Sequence, residues 1–141
     1  MNLEEFLLTE EILADDKYVT NGACLISKEY LNSIVFKIAK NEENIFKKCK
    51  ETVPLEKGKL FPIQEGTKLE IQGYKIALPY NTEYSFDYEY IQMILDNIPS
   101  YKNPTTYVVE NKRGEPILKF FVGEKIVGCL MSMRNRGSND K

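Results

Sequence analysis

Ile26-Ser27-Lys28-Glu29-Tyr30-Leu31-Asn32-Ser33-Ile34-Val35-Phe36-Lys37-Ile38 returns sixty positions later, without a gap, as Phe86-Asp87-Tyr88-Glu89-Tyr90-Ile91-Gln92-Met93-Ile94-Leu95-Asp96-Asn97-Ile98. Four positions are identical, the Glu-Tyr pair and two isoleucines, and Ile26/Phe86, Ser27/Asp87, Leu31/Ile91 and Val35/Leu95 exchange like for like. A second echo runs at an offset of fifty, where Ile71-Gln72-Gly73-Tyr74-Lys75-Ile76 matches Phe121-Val122-Gly123-Glu124-Lys125-Ile126. Two copies of one structural unit are expected from such self-similarity.

Each copy opens on a short β-prone run, Ala23-Cys24-Leu25-Ile26 or Tyr84-Ser85-Phe86, followed by Ser27 or Asp87. These are helix N-cap residues, because their side-chain oxygens accept from an orphan amide of the first turn. Apolar residues then fall on one helical stripe: Leu31, Ile34, Val35, Ile38, Ile45 and Cys49 in the first copy, and Ile91, Ile94, Leu95 and Ile98 in the second. Pro99 stops the second helix, whereas the first is expected to run to about Lys50, before Pro54. Three β-prone runs follow each helix, punctuated by Gly66 and Gly73 in the first copy and by Gly114 and Gly123 in the second. The expected fold class is α+β: two β-α-β-β-β repeats, about 22–80 and 82–134, with two helices packed on one face of a mostly antiparallel sheet. Residues 1–20 are expected to form an acidic amphipathic extension, and 135–141 a flexible tail. Asn21-Gly22 is a hairpin turn signal between Val19 and Ala23.

Composition narrows the chemistry. The 141 residues are 43% hydrophobic and 28% charged, as in ordinary globular domains, and the net charge of −2 gives no global pull toward nucleic acid or anionic membrane. The chain has no histidine, and Cys24, Cys49 and Cys129 are widely spaced, which argues for buried free thiols rather than a metal site. No cofactor or metal is expected. No apolar run reaches the ~18 residues that span a bilayer, and no basic residue precedes the first apolar positions, so a cytoplasmic protein is expected.

Two β-α-β-β-β units in one domain resemble the DNA-clamp fold, and the carboxyl-terminal half is similar to the last domain of the bacterial sliding clamp family, the DNA polymerase III beta subunit. The similarity runs from Ala77-Leu78-Pro79-Tyr80 through Phe86 to Tyr90-Ile91-Gln92-Met93-Ile94-Leu95, where the family carries a Phe-Asn-x-x-Tyr-Leu-Leu-x-x-Leu-like run. It ends at Leu130-Met131-Ser132-Met133-Arg134, which resembles the closing Met-Pro-Met-Arg with Ser132 in place of the proline. Motif-level likeness covers 77–134. The family strings three such domains together, and this chain has room for one. By this resemblance Met131 and Met133 would border an apolar pocket for partner peptides, and the setting would be DNA replication or a mobile element in bacteria.

The helical pattern adds Phe36 and Met93, apolar residues on the otherwise polar sides of the two helices, as candidate protein contacts. The expected function is therefore a non-enzymatic protein-binding module whose partner is another protein or, through unpaired sheet edges, another copy of the chain. DNA binding is the first alternative. It would use Lys37, Lys40, Lys47 and Lys48 on the first helix, but the second helix offers only Gln92, Asp96 and Asn97, so duplex DNA is not favoured. A small enzyme is the second alternative, with Glu83, Asp87 and Glu89 as acid/base candidates. Asp87 already serves as a cap, no phosphate loop or nucleophile elbow is present, and no catalytic residue is assigned.

Overall fold

The clearest helix in the sequence forms where the capping and stop signals place it. In the computed structural model, which describes residues 13–14, 17–20, 23–30, 40–41, 56–63, 69–71 and 75–135, α1 spans Tyr88–Asp96. The Asp87 carboxylate accepts from the Glu89 amide at 3.0 Å, satisfying one of the free amides of the first turn. It is the one α-helix among the described residues.

Strands β1 (Leu13–Ala14), β2 (Tyr18–Thr20), β3 (Cys24–Ser27), β4 (Lys40–Asn41), β5 (Lys59–Leu60), β6 (Leu69–Ile71) and β7 (Lys75–Pro79) precede the helix hairpin strand β8 (Tyr84–Asp87). After α1 come β9 (Thr105–Glu110), β10 (Pro116–Val122), β11 (Lys125–Met131) and β12 (Met133–Arg134). They build an eight-stranded sheet, β4-β1-β2-β3-β11-β10-β9-β5, and a four-stranded sheet, β12-β8-β7-β6. Every pairing is antiparallel except β1 with β4. The fold is α+β with mostly antiparallel sheets. At the seams, Gly128 faces Ile26 between β11 and β3, and Leu78 faces Phe86 between β7 and β8.

Helix α1 packs on β7 and β8 of the smaller sheet and on β11 of the larger one. Ile91 and Ile94 are fully enclosed there with Phe86, Leu118, Phe120 and Leu130. The approach at β11 is close: a Cβ at Gly128 would stand 3.2 Å from Ile94 Cγ2 and 3.3 Å from the Leu25 carbonyl oxygen. Strand β10 alternates, sending Leu118 and Phe120 toward the helix side and Ile117 into a second cluster with Leu25, Val109 and Cys129. Both faces of the larger sheet are thus closed to solvent at its middle strands, and Lys119 is the buried charge on the face of Ile117.

Three expectations are corrected by these elements. Lys40 and Asn41 belong to a strand, not to a continuing first helix, because their backbone pairs in parallel with Leu13 and Ala14. Strand pairing outweighs a helical propensity that differs by only a few tenths of a kcal/mol per residue. Within the expected extension, residues 13–14 and 18–20 are strands of the larger sheet, and β2 with β3 makes the hairpin that Asn21-Gly22 signals. After Ser27 the described chain makes a 3-10 turn, Lys28–Tyr30, and Ser27 Oγ accepts from the Glu29 amide at 3.2 Å. The remainder of the expected first helix lies outside the described residues, apart from Lys40 and Asn41.

Candidate functional site

Met93 is 3% exposed, so it is a core residue and not a surface contact. The reading of its flank as polar assumed one sheet beneath the helix, and α1 touches two sheets, which encloses a wider arc of its surface. Met131 is half-buried against the cluster of Leu25, Ile117 and Cys129 on the larger sheet. Met133 is half-buried on β12, opposite Ser85 in the smaller sheet. The two methionines therefore sit where the chain passes from one sheet to the other. Phe36, Lys37, Lys47 and Lys48 lie outside the described residues, and Lys40 is in β4.

A buckle fixes that crossing. The Asn135 amide nitrogen of the side chain donates to the carbonyls of Asn81 and Thr82, each at 3.1 Å, its backbone N–H donates to the Glu83 carbonyl at 2.7 Å, and its side-chain oxygen accepts from Ser85 Oγ. Arg134 lies 3.6 Å from Glu83 and over the Tyr84 ring. Asn135 is thus held by the fold, although the sequence reads it as the start of the tail. Of the proposed acid/base set, Glu83 is an exposed partner of Arg134 and Asp87 is the helix cap. Phe86 and Tyr88 are buried, and Tyr80 and Phe86 pack with Phe61 at ring separations of 5.7 to 6.2 Å. Phe61, next to β5 of the larger sheet, thus packs on Tyr80 and Phe86 of the smaller one.

Two surface depressions stand out. One, of about 380 Å³, is lined by Glu56, Gly58, Lys59, Tyr80, Val108, Val109 and Glu110 beside the end strand β5. Its shape depends on Gly58, whose φ of +91° is left-handed and whose missing Cβ would fall 2.2 Å from the Val108 carbonyl oxygen. The segment around it reaches Lys119, a buried lysine on β10 whose ammonium donates to the Glu56 carbonyl at 2.6 Å. Burial holds the Lys119 pKa below its usual value. At the rim, Tyr80 donates to Glu110 at 2.7 Å, and its pKa is pushed up to about 12, by burial first and then by that carboxylate. Leu60, on β5, is 61% exposed.

The other depression, of about 610 Å³, is lined by Lys17, Tyr18, Ser27, Lys28, Glu29, Lys125 and Ile126 at one end of β2, β3 and β11. Neither was legible in the sequence, because each joins segments tens of residues apart and no spacing links them. Among the described residues no group of three or more histidine, cysteine, aspartate or glutamate side chains could hold a metal ion. No helix among them is long and apolar enough to cross a membrane. Comparison with protein-family models, with curated proteins and with solved structures finds no match for the chain.

Proposed function

We propose that this protein is a non-enzymatic protein-binding module with a doubled, clamp-like fold, and that it binds by adding a strand from a second copy at β5. The seams support the doubling. Ile26 and Phe86 are equivalent in the sixty-residue repeat, Leu78 and Gly128 each stand two residues past the end of the fifty-residue echo, and the pairs Gly128/Ile26 and Leu78/Phe86 are cross-strand neighbours. The caps support it too, since Ser27 and Asp87 each accept from the amide two residues on. A replication or mobile-element setting in bacteria comes from the sliding-clamp resemblance alone. A cytoplasmic location is the setting in which the buried thiols of Cys24 and Cys129 stay reduced.

The observation that carries binding is Leu60, 61% exposed on the strand that ends the larger sheet among the described residues. The Phe61 amide donates to the Thr106 carbonyl at 2.9 Å, so antiparallel alternation directs the peptide groups of Leu60 away from β9. An exposed leucine on an outward-facing strand is a site for edge pairing, and a twofold axis there would close a dimer. So short a strand makes the contact weak and concentration-dependent. Light scattering over a concentration series tests it: the wild type associates, Leu60→Lys stays monomeric, and added duplex DNA changes neither. A wild type that remains monomeric throughout, or a Leu60→Lys variant that associates equally well, overturns the reading.

A further inference from the structure

Strand β5 is two residues long, and two lysine ammonium groups tie down the chain that leads into it. Residues directly opposite in antiparallel pairs share a face, so Leu60, Tyr107 and Lys119 form a row across β5, β9 and β10. Phe121 lies on the same face, two residues beyond Lys119. Residues 56 and 57 are fastened to this row. The Lys119 ammonium donates to the Glu56 carbonyl at 2.6 Å. The Lys57 ammonium stands 4.4 Å from the centre of the Tyr107 ring and 4.9 Å from that of Phe121, two rings that meet edge to face at 5.5 Å. Gly58 then makes its left-handed turn against Val108, and β5 begins at the next residue.

We infer that residues 56–58 are a strap that keeps β5 on the sheet, and that the Lys57 cation sets how fully this edge is presented to a second copy; the second half rests on the edge pairing proposed above. Strands usually run ~3–10 residues, so one of two residues depends on what flanks it. On the far side, Phe61 is fixed by its amide on the Thr106 carbonyl and by its ring against Tyr80 and Phe86. On the near side the hold is cationic. The Lys119 anchor is enclosed in the sheet, whereas the Lys57 side chain is 34% exposed and is therefore the end that can let go. Glu124, 3.8 Å from Lys57 and itself 95% exposed, adds little, because water screens such a pair. The two ring faces supply the attraction instead.

Hydrogen exchange on the full chain, at a concentration where it is monomeric, tests the strap apart from association. The alternation that turns the Leu60 peptide groups outward turns the Lys59 amide toward β9, so Lys59 reports whether β5 is seated. Lys57→Gln should speed that exchange roughly fivefold, the worth of a half-exposed cation–π contact. Lys57→Arg keeps a cation over the rings and should match the wild type, as should Glu124→Gln, and amides of β2 and β3 should not change in any variant. Equal exchange at Lys59 in wild type and Lys57→Gln, a rise as large in Lys57→Arg or Glu124→Gln, or a rise that extends to β2 and β3 would overturn the strap. In light scattering Lys57→Gln should associate less than the wild type, and equal association would overturn its control of the edge. A wild type that never associates, with Lys59 still responding to Lys57→Gln, would refute edge pairing and uphold the strap.

Discussion

Gly58 and Lys119 set the two most constrained points of the surface around β5. A side chain at Gly58 meets both a left-handed backbone and a carbonyl oxygen at 2.2 Å that belongs to β9 and cannot swing aside. Gly58→Ala should therefore cost at least about 2 kcal/mol in urea unfolding, combining the αL penalty with displacement of the strand. Lys119 has the opposite character, a charge held in an apolar place. The unfolded chain keeps its proton up to the ordinary value of 10.5 while the native state releases it sooner, so between the two pKa values the unfolded state binds more protons and stability rises with pH. Lys119→Met has no such term. Its stability relative to wild type should fall as pH goes from neutral toward 10.5, and a constant difference across that range would contradict the burial of a charged amine. The sequence gives no hint of Lys119, since a lysine within Ile-Leu-Lys-Phe-Phe reads as the solvent face of a strand. What buries it is a carbonyl sixty-three positions earlier.

At the scale of elements, local signals specify structure where capping and periodicity agree. Asp87, the Ile91/Ile94 stripe and Pro99 each bound or aim α1, and the helix forms between them. Asp87→Ala should cost about 1 kcal/mol by urea unfolding, with Asp87→Asn recovering most of it; equal losses for both would show that the carboxylate acts by charge and not as an acceptor. Tertiary pairing was not legible. Lys40 and Asn41 satisfy a helical pattern, yet their backbone joins Leu13 and Ala14, a partnership between segments that share no sequence signal. Met93 shows the same limit from the other side. Periodicity ranks the faces of a helix by polarity, and it contains nothing about a second sheet that covers the flank.

At the scale of the molecule, the α+β class follows from the strand runs before and after α1. The edges were expected as a class of feature, but which strand would present an exposed apolar residue depended on how the chain between 56 and 63 crosses from β9 toward Phe86. That crossing leaves Leu60 outside. Edge pairing predicts a change confined to a few amides, so hydrogen–deuterium exchange at low and high protein concentration is the most direct test. The account predicts that the Leu60 amide becomes protected as concentration rises, while amides in β2 and β3 do not change. Exchange at Leu60 that is independent of concentration, in a sample that light scattering shows to be associated, would contradict it.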